Sequence, residues 1–352
     1  MKFSKMFLVS LMSFPLFFSC SNDDDVPVAP VPGAFENGFF VLNEGNATTG
    51  SVTFVSNDLN TVKQDVYVTV NPSDNIGGYA QSIFFDGDKA FIISNGSNKI
   101  TVVNRYTFKL IAKITTGLSI PRYGVVVNGK AYVTNANTFS YSNPTTGDTD
   151  DFVAVINLSN YTVENTIPLG TFGEKITAVN GKIYVANGAF GDGNSMKIIS
   201  PSTNTVVKTL TFGNSPNSMF EKNGSLYVLC SSYAANSELA KIDLTTDTVS
   251  STIVMDSALG NAQNLSFDNN KFFFSIDSKV YDEDITATTI ATTPLFTSSA
   301  VYLYGMIAKN SRIYVADSPT FTADGKAFIY SSIGTLQKEV AVGLGPNGFY
   351  FN

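Results

Sequence analysis

The chain has 352 residues, enough for one large or two ordinary domains. With 43% hydrophobic and 14% charged residues, it is too rich in core-forming side chains to be disordered. Its net charge of −7, with no basic stripe, argues against a nucleic-acid partner, and the absence of His removes Ser–His and Cys–His nucleophiles and His-rich metal centres.

Residues 1–19 read as a processing signal. Lys2 and Lys5 give a positive start, and "MFLVSLMSFPLFFS" gives an apolar run, interrupted by Pro15 and too short for a membrane span. Closed by Cys20, the segment resembles a bacterial lipoprotein signal, which implies acylation of Cys20. The alternative is an ordinary signal peptide that contains a cysteine. Asp23, Asp24 and Asp25 follow at once, similar to the acidic export tag of lipoproteins shown on the outer face of some Gram-negative cells. That resemblance implies an outer-membrane, cell-surface protein that meets the membrane only through its lipid anchor. Residues 20–36, acidic and then Pro-rich, read as an extended tether, and 37–352 as one domain. Cys230, the other cysteine, ends the strand-like "LYVLC" and is expected to be a small apolar core residue.

From residue 37 onward one phrase recurs: "NGFFVLNEG" (37–45), "GDKAFIIS" (87–94), "NGKAYVTN" (128–135), "NGKIYVAN" (180–187), "NGSLYVLC" (223–230), "NNKFFFSI" (269–276) and "NSRIYVAD" (310–317). The equivalent aromatics are Phe40, Phe91, Tyr132, Tyr184, Tyr227, Phe273 and Tyr314. Asn-Gly favours a two-residue turn with positive φ at both positions, so "VVVNGKAYV" predicts strand, turn, strand. Two more short strands follow each hairpin, as in "MKIIS" then "VVKTLTF". These runs are apolar almost throughout, which suits sheets covered on both faces. Such units stack radially as propeller blades. A solenoid is the rival, but it would need polar caps at both ends.

The ends of the chain decide for a ring. "GPNGFYFN" (345–352) matches the first strand of a blade and stops where its turn should come, whereas "ENGFFVLNEG" starts at that turn. The expected fold is an all-β, seven-bladed propeller of four-stranded antiparallel blades, closed by residues 345–352 pairing with the N-terminal blade. "PRYGVVVNGKAYVTN" (121–135) resembles the YVTN-type (YncE-like) β-propeller repeat, and the similarity covers residues 38–352. It implies the same fold and says little of activity, because propellers host many.

The hairpin turns belong to one rim and the longer connections to the other, around the mouth of the central channel. Those connections carry aromatic rings among Asn, Ser, Thr and Gly: Tyr79, Tyr123, Phe139, Tyr141, Phe190, Tyr233, Tyr304 and Phe321. Rings in polar loops give contact area at low entropic cost, with amides and hydroxyls setting orientation. Either they converge as a binding face or they tuck down and stiffen the loops. Arg122 is placed either to meet a ligand carboxylate or phosphate or to pair with Glu174 or Asp192. Gln81, Asn217 and Gln263 hold similar positions and form either a ring of amides or caps for backbone groups at strand starts. No cofactor is expected; "GDGNS" and "TTGDTDD" contain oxygen ligands for Ca²⁺ without the spacing of a known loop.

Lipoprotein tag, acidic signal and YVTN-like propeller together resemble the BtuG-type cobalamin-binding surface lipoproteins. The resemblance implies capture of a bulky ligand, a corrinoid foremost, for delivery to a TonB-dependent outer-membrane transporter. The alternatives are a protein–protein adaptor or adhesin and, third, a propeller hydrolase or lyase.

Overall fold

The computed structural model describes residues 33–138, 148–189, 192–233 and 235–352. Cys20, Phe139, Tyr141 and Phe190 lie outside them, as does part of each candidate Ca²⁺ loop. Strands gather into seven four-stranded antiparallel sheets. Blade 1 comprises Gly38–Asn43, Ser51–Ser56 and Val62–Lys63 joined by the C-terminal strand Pro346–Phe351. Blades 2 to 7 follow in chain order, with inner strands Ala80–Asp86, Pro121–Val127, Ile176–Val179, Ser215–Lys222, Gln263–Asp268 and Leu303–Lys309.

The repeated phrase folds as its turn chemistry dictates. Asn128 and Gly129 hold φ of 52° and 73°, Asn180 and Gly181 50° and 74°, and Asn223 and Gly224 51° and 72°. Positive φ at both central residues matches the twist of the flanking strands and lets each hairpin close in two residues. Phe40, Phe91, Tyr132, Tyr184, Tyr227, Phe273 and Tyr314 each stand third in the second strand of a blade, and all are buried.

Ring closure is made by antiparallel pairing, Phe39 opposite Phe351 and Val41 opposite Phe349. Phe39, Phe349 and Phe351 pack around Tyr314 of blade 7, with ring centroids 4.9 to 5.5 Å from it. Seven buried apolar clusters each fill the space between two neighbouring blades: Phe40, Phe54, Ile83 and Ile92 join blades 1 and 2, and Tyr184, Met196, Leu226 and Val228 join blades 4 and 5. This double coverage is why the strands read as nearly continuous apolar runs. Cys230 is buried within the second of these clusters, where burial pushes its thiol pKa well up.

Two features depart from the simple repeat. The outer strand of blade 1 has only two residues, and a one-turn helix, Val66–Val70, takes its place before Asn71-Pro72. A residue before proline is pushed out of the helical region, so the turn ends there. Phe35, within the segment expected to be coreless tether, is buried against Phe40, Phe54 and Phe108. Its amide donates to Tyr106 O (3.0 Å), so the described fold begins on the turn-bearing rim.

Candidate functional site

Each inner strand starts with an irregularity that aims a side chain into the channel mouth. Register shifts fall between Ala80 and Ser82, Pro121 and Gly124, Pro216 and Ser218, Gln263 and Ser266, Leu303 and Gly305, and opposite Leu42 and Asn43, where Asn347 is skipped. In blade 4 Ala186 exchanges hydrogen bonds with Glu174 and Lys175, two residues opposite one. A β-bulge turns the extra residue away from the ladder, and barrel rims and sites are where bulges gather. The residues so displaced are Gln81, Arg122 and Tyr123, Lys175, Asn217, Asn264, Tyr304 and Asn347. All line one cavity of about 520 Å³ in the mouth of the channel.

Seven of the residues expected from the sequence line this cavity: Gln81, Arg122, Tyr123, Asn217, Tyr233, Gln263 and Tyr304. Gln263 is there but not as the equivalent of Gln81 and Asn217. It pairs with Ser275 in the ladder, and the bulge that follows displaces Asn264 instead. Phe321 stands above the lining, edge-on to Tyr304 (4.8 Å) and Tyr302 (5.4 Å). Tyr79 stays outside the cavity, packed over Gly96, where a Cβ would come within 2.6 Å of its ring. Phe139, Tyr141 and Phe190 fall outside the described residues.

Arg122 takes the internal of its two options. Its Nε and Nη2 reach both oxygens of Glu174 at 2.7 Å, a bidentate pair with side chains only 12% and 10% exposed. Lys175 places its ammonium over the ring of Tyr123, 3.8 Å from the centroid. The Tyr123 hydroxyl accepts from Gln81 Nε2 (2.8 Å), whose Oε1 accepts from Asn95 (2.8 Å). Across the mouth, Tyr304 donates to Glu44 Oε2 (2.8 Å). Burial raises the Glu44 pKa, against the opposing pull of this hydrogen bond and of the Arg122 charge. The Tyr304 hydroxyl is pushed up by burial and by the Glu44 carboxylate.

The amides serve scaffold and cavity together. Asn217 Nδ2 donates to Ser231 Oγ (2.8 Å) and to Ala262 O of the next blade (2.9 Å). Asn347 Nδ2 likewise binds Ala80 O (2.9 Å), and its own Oδ1 is buried without a partner. Sequence reasoning missed Lys175, Asn264, Asn347, Tyr302 and Glu44. The available signal was position, since the bulge residue precedes the hairpin turn by a nearly constant stretch in every copy.

Above this polar well stands an apolar rim: Tyr233 is 76% exposed, Val301 76%, Tyr302 52% and Phe321 43%. Phe321 (φ 53°) and Tyr79 (φ 48°) hold left-handed backbone, as Phe108 (φ 59°) and Tyr161 (φ 58°) do in turns of the opposite rim. A second groove of about 570 Å³ lies on the flank between blades 1 and 7, floored by Val52, Val68, Val342 and Leu344. Its lining also carries Gln64, Asp65, Asn75 and Asp324, and it lies apart from the inner-strand starts. Among the described residues no cluster of three or more His, Cys, Asp or Glu side chains could hold a metal ion.

Solved structures share the architecture at low identity. A quinonprotein alcohol dehydrogenase-like protein from Bacteroides thetaiotaomicron superposes with a TM-score of 0.65 at 16% identity, over 90% of this chain and 78% of that one. Hydrazine synthase of Kuenenia stuttgartiensis gives 0.57 at 16%, over 74% and 85%. BamB from Moraxella catarrhalis gives 0.51 at 15%, over 90% and 85%. At these identities the likeness is one of fold, and it joins proteins named as enzymes to one that is not. No curated protein matches the sequence significantly. Residues 37–335 match the family described as Domain of unknown function (DUF5074), and the chain belongs to that family.

Proposed function

We propose that this propeller is a binding protein that captures a bulky ligand at the loop-side mouth of its channel. The observation that carries the reading is the ring of bulged polar side chains, one or two from every blade, converging on a single cavity under an exposed aromatic rim. A polar well below a rim of rings suits a ligand with a broad flat body and hydrogen-bonding arms. A corrinoid has that form, with peripheral amides for the well and a conjugated plane for Tyr233, Tyr302 and Phe321. A cavity of about 520 Å³ lies within the usual range for small-molecule sites and would take the arms rather than the whole of such a ligand. With Cys20 acylated and residues 20–32 as tether, the protein would work at the outer-membrane surface and pass its ligand to a TonB-dependent transporter.

Capture is favoured over catalysis because the carboxylates at the mouth are already engaged, Glu174 by Arg122 and Glu44 by Tyr304. The adaptor reading is supported by the rim alone, since exposed rings also suit a protein epitope. Calorimetric titration of the tag-free protein with cyanocobalamin, haem, a siderophore and a glycan panel tests the reading. Binding of one of them, lost in a Tyr233→Ala/Tyr302→Ala variant, is expected; affinity for none would overturn capture.

A further inference from the structure

The mouth is electrically sorted by its internal hydrogen bonds. On the arc of blades 5, 6, 7 and 1, the amide N–H groups of Asn217, Asn264 and Asn347 are turned into the wall. Asn217 spends both on Ser231 and Ala262, while its Oδ1 accepts from Ser218 Oγ (2.6 Å) and keeps one lone pair for the cavity; Asn347 donates to Ala80 O. The backbone carbonyls of Ala262 and Ala80 fix which end of each amide is nitrogen. Asn264 Nδ2 donates to Ser275 Oγ (2.9 Å), a hydroxyl whose own proton is directed at Gln263 O. Its Oδ1 makes no hydrogen bond among the described residues. Tyr304 directs its hydroxyl proton at Glu44, so its oxygen offers only lone pairs to the cavity. This arc presents acceptors.

The arc of blades 2, 3 and 4 is the reverse. Tyr123 accepts from Gln81 and donates to no described residue, so its proton is available. Lys175 faces the same space with no carboxylate within ion-pair distance among the described residues, and it supplies the arc's positive charge because the Arg122 guanidinium is met by Glu174. This arc presents donors and positive charge.

We propose, building on the reading of the mouth as the binding site, that it recognises carboxamide-bearing ligands by polarity. An amide carbonyl is read by Tyr123 and Lys175, and an amide N–H by Asn217, Asn264 and Tyr304. A carboxylate can satisfy the first wall and is repelled by the second; an ammonium does the opposite. Only a group with both polarities, such as a primary amide, satisfies the two arcs together.

The test uses acetamide, acetate and methylammonium as probes, followed by the side-chain amide resonances of Gln81, Asn217 and Asn264 in the full propeller. Acetamide is expected to shift both arcs, acetate Gln81 alone, and methylammonium Asn217 and Asn264 alone. Tyr123→Phe, which keeps the ring under Lys175, should weaken acetate and acetamide by about 2- to 10-fold, the worth of one hydrogen bond, and leave methylammonium unchanged. Asn264→Asp should strengthen methylammonium severalfold. Acetate shifting Asn264 as strongly as methylammonium does, or no shift at either arc, would overturn the proposal. Failure of cyanocobalamin to bind while the probes sort as stated would sink the corrinoid reading and leave this one standing.

Discussion

The two rims of the propeller are built from the same seven strand repeats and differ in what they leave unsatisfied. On the turn-bearing rim the hairpins repeat one short phrase, and where a lysine follows the turn it is neutralised by a carboxylate: Lys89 by Asp88, Lys130 by Glu164, Lys182 by Asp247, Lys271 by Asp282. Tyr184 closes the set by donating to buried Asp247 (2.7 Å). On the loop-bearing rim, large rings stand in solvent and polar groups converge without full partners. One rim is finished and the other is waiting for something. The difference teaches that repetition marks packing, and that the ligand-facing positions are those where the copies disagree in residue type while sharing a place in the backbone.

The comparison can be broken most severely at its common foundation. Ending the chain at Gly345 removes the inner strand of blade 1 and the rings of Phe349 and Phe351. A fully buried ring is worth about 1.5–3 kcal/mol; with Phe349 buried and Phe351 partly so, the loss of about 4 kcal/mol approaches the stability of a whole domain. Urea unfolding should show a collapsed or non-cooperative transition. A truncated chain with an unchanged midpoint would mean that the ring does not depend on its closure.

Next in size is the buried pair that supports the mouth. Arg122→Met leaves Glu174 charged and buried without its bidentate partner, at a cost of about 3 kcal/mol. The double replacement Arg122→Met/Glu174→Met should recover most of that, and denaturant midpoints of the three variants measure it. On the finished rim, Asp247→Ala strands the Tyr184 hydroxyl and should cost about 1–3 kcal/mol. Ligand affinity should survive that change, which separates the rims by a second readout.

Smallest is the response to acid, where Glu44 at the mouth has the opposite sign to the carboxylates of the turn-bearing rim. Hydrogen bonds from Lys89 to Asp88, from Lys130 to Glu164 and from Thr286 to Asp284 hold these carboxylates below their ordinary pKa. Their contribution is present above the ordinary carboxylate range and is lost as pH falls through the lowered values. Glu44 is raised by burial, so the folded state binds its proton more tightly than the unfolded chain, and its term favours folding as pH falls toward 4.5. Glu44→Gln should remove that opposing slope, leaving a steeper loss of stability in acid; thermal melts across mildly acidic pH check it.

How much of this was legible follows from the same contrast. The hairpins, the buried aromatic of each blade and the closing octapeptide are local or periodic signals, and Asn128-Gly129 states its own φ angles. The mouth is only partly local. Tyr123, Asn217 and Tyr304 stand out as polar or aromatic residues in connections, but nothing local separates Lys175 from other surface charges or Asn347 from other strand residues. A bulge is set by how two strands pair, so whether Gln263 or Asn264 enters the cavity is decided by register rather than by either residue. Arg122 and Glu174 are separated by a whole blade, and only the ring brings them together.

Hydrogen–deuterium exchange of the propeller with and without excess cyanocobalamin tests most directly where the molecule binds. Slower exchange confined to the inner-strand starts and the aromatic rim, residues 80–82, 121–124, 174–176, 215–219, 231–233, 262–266, 301–305, 320–322 and 346–348, is the predicted result. Protection on the Asn-Gly turns, or none anywhere, would contradict the account.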